Sequence, residues 1–398
     1  MKKKNPLYAL SLCAFLLGLV LGLIVPAIFP PIAFLGTVYI DLLKLIVIPL
    51  LMAEVACGVY AAAENVVGRL GRTIALFVGM FVVSFLLTAL LVGILRPGER
   101  AAAVLPLFDV GGSETLAAMT LSGFFESLFP ANIFAAMSAG SILPCLLFAF
   151  VCGLAAAKVG AERAMAVMED ARRIFSRVLS YIMLLTPLGV FSLMGNAVVN
   201  YGAGLLGVCA RYILTAWLGC ALVTAVVMIL PLRLFAHVRV LDYLRRVSKV
   251  WLVTLSTCSS AATLPTTLRV CNEEFGVPES ITSLVVPLGC TIHMCGGAVS
   301  FCLLAMFSLQ VSGVALTPAL FVQMLLVATL MNMAAPGIPG GGIVLGATYL
   351  SILGVPGGFI GLYSGVYRLL DMAYTTVNVT GDITANVLLA EYERRRKP

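Results

Sequence analysis

Charge is scarce in this sequence. Only 11% of its 398 residues are Asp, Glu, Lys or Arg, against about 25% in a soluble globular chain, which excludes an ordinary soluble domain. The scarcity is sharpest near the C-terminus. Between Glu279 and Glu391 the acidic residues are Asp371 and Asp382, and the one basic residue is Arg368. Histidine is limited to His237 and His293, too few for a histidine-built metal centre. The 11 cysteines include no Cys-x-x-Cys pair and form no cluster in a polar loop. They read as small buried hydrophobes, not as a disulfide framework. The net charge of +7 is small for the length and sits in short clusters, which speaks against a nucleic-acid surface.

What is plentiful is apolar: 61% of the chain is hydrophobic and the mean hydropathy is +1.08. A chain of this kind is an all-α polytopic membrane protein, because helices satisfy their own backbone in lipid. Spanning segments are expected at 7–29, 33–62, 73–95, 141–158, 176–199 and 207–232, with short helical pieces between 103 and 140. The N-terminal MKKKNPLYALSLCAFLLGLVLGLIVP carries an apolar run about twice that of a signal peptide and no small-x-small cleavage site, so it is expected to be the first span. Basic clusters at Lys2–Lys4, Arg69 and Arg72, Lys158 to Arg177, Arg233 to Lys249 and Arg394–Lys397 alternate with loops lacking excess positive charge. This predicts both termini on the cytoplasmic side of the cytoplasmic (inner) membrane, with lipid headgroups as incidental partners of the basic runs.

Residues 240–392 have a different texture. The apolar stretch 250–272 is interrupted by small polar residues and Pro265, and 320–353 is interrupted by AAPGIPGGG. Such breaks survive in a membrane where the freed backbone lines a cavity or is buried in protein. Each therefore predicts a re-entrant hairpin, a kinked helix being the plainer alternative. Each is followed by a related core, TIHMCGG at 291–297 and TVNVTGD at 376–382. An inverted repeat of this kind aims its broken elements at one midplane site, and unwinding at Gly296 and Gly381 is expected to free carbonyls for a cation. Within 368–390, Asp371, Asn378 and Asp382 are spaced 7 and 11 residues from the first, within roughly 20° of one line on a helix. Tyr374 lies beside that line. A carboxylate at membrane depth is a functional candidate by default. The plainer reading of Asp371 is an i,i+3 ion pair with Arg368.

Several stretches resemble the dicarboxylate/amino acid:cation symporters, which include the glutamate and neutral amino acid transporters. They are YIDLLKLIVIPLLMAEVACGVY, FPANIFAAMSAGSILPCLLFAFVCG, SSAATLP at 259–265, AAPGIPGGGI at 334–343 and LDMAYTTVNVTGD at 370–382. The resemblance covers nearly the whole chain. It implies eight transmembrane helices plus two re-entrant helical hairpins, arranged as inverted repeats in an elevator-type transporter that forms a homotrimer. Scaffold helices 1–2 would occupy 1–72, transport-domain helix 3 would occupy 73–100, and scaffold helices 4–5 would occupy 101–200. The transport core (helix 6, hairpin 1, helix 7, hairpin 2, helix 8) would occupy 201–398.

By the same resemblance, Asp371 holds a substrate ammonium and Asn378 its α-carboxylate. Ser259 and Ser260 are first-hairpin contacts, Gly337, Ile338 and Gly340 belong to a closing lid, and Gly297, Tyr374 and Thr375 complete the pocket. Gly289, His293, Asn378 and Asp382 map to a sodium site, and His293 doubles as the proton-coupling candidate. No cofactor is implied beyond Na+ or H+ as coupling ion. An enzyme is not expected, since a serine of SSAATLP with His293 lacks a positioned acid and an oxyanion site. Two departures carry weight. The family's Asn-Met-Asp-Gly-Thr reads His293-Met294-Cys295-Gly296-Gly297 here, and its substrate-clamping arginine is Tyr374. Losing a guanidinium removes the main reason to prefer an acidic side chain, so a small neutral amino acid is the expected substrate. The alternatives are a symporter of acidic amino acids or C4-dicarboxylates with Arg368 as compensating charge, and an uncoupled channel-like protein.

Overall fold

The computed structural model describes residues 6–63, 67–102, 129–139, 142–202, 204–332, 341–355 and 359–396, and among these the regular structure is helical, without strands. The N-terminal half supplies α1 (Pro6–Ile24), α2 (Phe29–Ala63), α3 (Val67–Leu95), α4 (Ile142–Val159), α5 (Glu162–Met183), α6 (Thr186–Tyr201) and α7 (Gly204–Val223). The second half supplies α8 (Val240–Thr257), α9 (Ser260–Arg269), α10 (Glu279–Ile292), α11 (Cys295–Ser312), α12 (Pro318–Asn332), α13 (Gly341–Ile352) and α14 (Ile360–Arg396).

The helices pack in two groups. In one, α1 lies along α6, and α2 packs on α4, α5 and α6. In the other, α14 is the shared partner of α7, α8, α10, α11 and α13, while α3 lies along α11. Contact between the groups falls chiefly between α14 and α6. By length and composition, three helices among the described residues can cross a membrane: Gly71–Leu95, Gly204–Phe235 and the α10–α11 unit Glu279–Ser312. The number reaches five if each bent pair, α1 with the start of α2 and α5 with α6, counts as one span. The apolar window of Glu279–Ser312 is 94% buried within the chain, that of Gly71–Leu95 only 33%. The first is therefore core, and the second offers most of its surface to lipid.

The first expected hairpin is a pair of packed helices, α8 and α9. Its turn lies at Cys258, with a left-handed φ of 47°, and Ser259, whose hydroxyl accepts the Ala262 N–H at 3.1 Å. Pro265, expected to contribute to the break, lies inside α9. The break is made by the left-handed Cys258 and the Ser259 N-cap, and not by the proline. The second pair, α12 and α13, also packs together, while its AAPGIPG tip at 334–340 lies outside the described residues.

Two expectations of unwinding are corrected. The backbone opens at His293, which is extended, and Met294, which is also non-helical, between α10 and α11, and not at Gly296. The last helix, α14, runs unbroken through Gly381. Both glycines serve close packing: a Cβ on Gly296 would lie 2.2 Å from the Tyr374 carbonyl oxygen, and one on Gly381 would lie 2.8 Å from the His293 ring.

The first hairpin is tied to α14 by a ladder at i, i+4 spacing. Thr376 pairs with Thr254 at 2.7 Å, Thr380 accepts from Trp251 Nε1 at 2.9 Å and Thr384 pairs with Tyr243 at 2.9 Å. In an apolar setting such interhelical bonds contribute about 0.6 kcal/mol each on average.

Candidate functional site

The first candidate site is a cavity of about 50 Å³ where α9, α11, α12, α13 and α14 converge. Asp371, Tyr374, Thr375 and Asn378 reach it from α14, Ser260 from the start of α9 and Gly297 from α11. Of the stripe Asp371, Asn378 and Asp382, the first two line this cavity and Asp382 does not. Asp371 is buried, and its Oδ1 accepts from Thr375 Oγ1 at 3.1 Å and from the Tyr367 hydroxyl at 3.4 Å. Asn378 Oδ1 accepts the Gly296 N–H at 2.7 Å. That bond fixes the amide plane and commits its oxygen, so its NH2 is the group with donors to offer. Tyr374 is 2% exposed. Its hydroxyl is buried close to that of Tyr212, and neither makes a hydrogen bond of ordinary geometry. Ser259 is not among the lining residues; it serves as the cap of α9. Gly337, Ile338 and Gly340 lie outside the described residues.

Arg368 binds the end of the first hairpin. Its Nη2 donates to the Ser256 carbonyl at the end of α8, 3.0 Å away. No Lys or Arg lines the cavity among the described residues.

The second candidate site lies at the open joint between α10 and α11. His293 is fully buried, with Nδ1 2.9 Å from Asp382 Oδ1 and Nε2 3.1 Å from Cys295 Sγ. Phe77 of α3 stacks on its ring at 4.3 Å and 8° between planes. Gly289 makes room for the carboxylate, since a Cβ there would lie 2.3 Å from Asp382 Oδ1. The Gly289 carbonyl accepts the His293 N–H at 2.9 Å. Gly289, His293 and Asp382 are therefore brought together, whereas Asn378 directs its oxygen to Gly296.

Sequence reasoning missed Asn332 and Tyr367, which line the cavity, and Phe77, which closes over His293. Tyr367 stands one turn before Asp371 on the same face, a spacing that could have found it. Nothing local marks Asn332 or Phe77, which reach their places through tertiary packing.

An apolar helical assembly with a small cavity lined by a buried carboxylate is the form of a solute carrier. Residues 7–392 match the sodium:dicarboxylate symporter family, and the chain belongs to it. Its relatives include a C4-dicarboxylate transport protein of Solibacter usitatus, 28% identical over 400 residues, covering 98% of this chain and 93% of the relative. The proton/glutamate-aspartate symporter of Escherichia coli is 29% identical over 374 residues, covering 90% and 85%. The human neutral amino acid transporter A is 28% identical over 398 residues, covering 88% and 74%. The protein is thus a cation-coupled symporter of the dicarboxylate and amino acid class, an integral membrane protein and not an enzyme.

Proposed function

We propose that this protein carries a small neutral amino acid. The observation that bears most weight is the charge of the cavity wall: one carboxylate, Asp371, and no Lys or Arg among the described residues. A zwitterion needs an anion for its ammonium and N–H donors for its carboxylate. Asp371 supplies the first, and the Asn378 amide with the backbone at the start of α9 supplies the second. A dicarboxylate would bring two negative charges to a wall that already carries one. Tyr374 takes the volume of a side-chain clamp without its charge. The test is uptake into proteoliposomes with a competitor panel of glycine, alanine, serine, aspartate and succinate. Inhibition by the neutral amino acids and not by succinate is expected; strong inhibition by succinate alone refutes the reading.

For the coupling ion, the joint between α10 and α11 supports H+ over Na+. The imidazole of His293 occupies the near side of the Asp382 carboxylate, where a desolvated Na+ would need hard oxygen ligands. Cys295 stands where the family pattern has an acidic ligand. Soft sulfur and imidazole suit Na+ poorly, whereas a histidine–carboxylate pair can hold and release a proton.

The mobile part of the elevator would be α3 with α7–α14, moving against α1, α2 and α4–α6. The eight-span topology, homotrimer and inner-membrane placement with cytoplasmic termini belong to the same proposal.

A further inference from the structure

One polar atom at the cavity wall has no place in the binding scheme above. Asn332 ends α12, is 3% exposed and lines the cavity. Its Nδ2 donates to the Ile292 carbonyl at 3.2 Å. A carbonyl can only accept, so this bond fixes which end of the amide is nitrogen and leaves Oδ1 on the other side. Oδ1 is buried without a donor. It lies 2.9 Å from the point where a Cβ on Gly297 would stand, so it fills the space that a side chain at 297 would take at the cavity wall. A buried acceptor left unpaired is costly, and few are tolerated in a folded chain. In a binding cavity the cost is recovered when the ligand brings the donor.

We propose that Asn332 is a specificity residue, and that the substrate is a small amino acid whose side chain ends in a hydrogen-bond donor, a β-hydroxyl above all. The inference rests on the reading that a neutral amino acid binds with its ammonium on Asp371. Gly297, Phe301, Tyr374 and Asn332 all line the cavity, and the Asn332 oxygen and the Phe301 ring are the neighbours of the space left at Gly297, where that pose would set the side-chain end. A carboxylate side chain presents acceptors only and would set oxygen against oxygen. A cationic side chain would need a second anion, and the cavity wall has none among the described residues. A methyl side chain fits but leaves Oδ1 unpaired. A hydroxyl both fits and donates.

The experiment compares serine, alanine, O-methylserine and aspartate as competitors of serine uptake by the full-length protein in proteoliposomes. Serine should outcompete alanine, which is smaller and lacks only the donor, by about tenfold or more. O-methylserine, which keeps the oxygen and loses its proton, should be weak. In Asn332→Leu, which keeps approximate size and removes the acceptor, the serine-to-alanine ratio should fall to about one. That ratio compares two substrates on the same protein, so a change in yield or fold does not move it. Alanine and O-methylserine competing as well as serine in the unaltered protein overturns the proposal without any variant. A ratio in Asn332→Leu equal to the parent's overturns it as well. If the protein takes up aspartate and no serine, the neutral-substrate reading itself falls, an outcome distinct from the other two.

Discussion

Asp371 and Tyr374 stand one turn apart on α14 and set the character of the cavity between them. Asp371 takes hydrogen bonds from the hydroxyls of Thr375 and Tyr367, which orient the carboxylate at the cavity it lines. On the proposed reading, removing its charge falls on substrate binding. Burying an ammonium without its anion costs on the order of 3–5 kcal/mol, over a hundredfold in affinity. Asp371→Asn is expected to abolish measurable amino acid binding while the purified variant keeps the parent's elution profile and helical content. Near-normal affinity in that variant would make Asp371 a structural group. Tyr374→Arg tests the opposite end. A guanidinium there offers bidentate pairing to a carboxylate side chain, so aspartate should gain inhibitory strength relative to alanine. If aspartate gains nothing, Tyr374 does not face the substrate's side chain. Both residues were legible in the sequence, because period and charge scarcity single out this stripe before any contact is known. Asn332 was not legible, since a lone amide near a helix end has no periodic signature and acquires meaning only beside Gly297.

At the scale of elements, the packed helix pairs α8–α9 and α12–α13 were visible in composition, but the place where the backbone opens between α10 and α11 was not. Glycines near membrane depth suggest unwinding; here Gly296 and Gly381 sit in regular helix and give up their side chains so that neighbours can approach. The open joint falls instead on His293 and Met294, where the imidazole turns towards Asp382 and the Ile292 carbonyl accepts from Asn332. Side-chain bonding across helices decided the position, and a single strand of sequence does not record such partners. The contact at Gly296 is unforgiving, because the atom that an added methyl would meet is the backbone oxygen of Tyr374, 2.2 Å away. A flexible side chain could swing aside, but the middle of α14 cannot. Gly296→Ala should therefore part α11 from α14, stretch the Gly296–Asn378 hydrogen bond and destabilise the fold by about 1–3 kcal/mol, the usual cost of overpacking. Thermal unfolding of the detergent-purified protein measures this, and an alanine variant that melts with the parent would mean that the helices are not so closely apposed.

The whole molecule has to couple the movement of a solute to that of an ion, and the reading of that ion rests on what surrounds Asp382. The carboxylate lies against Gly289, with His293 at 2.9 Å and the Phe77 ring stacked on the far face of the imidazole chemistry. This leaves a compact, buried pair well suited to one proton and ill suited to a cation that needs about five or six oxygens. The site is also one turn from Asn378, whose oxygen holds Gly296 at the cavity, so a change of charge at His293 and Asp382 has a short route to the substrate through the α10–α11 joint. An inward pH gradient imposed alone should therefore drive uptake, and replacing Na+ by choline on both sides should leave most of it. His293→Gln keeps polarity and approximate size but cannot carry the proton. It should uncouple the two, so that exchange of internal for external amino acid persists while pH-driven accumulation is lost. Asp382→Asn should do the same if the pair acts as one unit. The opposite pattern is equally clear: uptake that ignores the pH gradient, rises steeply with several Na+ ions and survives His293→Gln would assign the joint to sodium and reduce the imidazole to a structural prop.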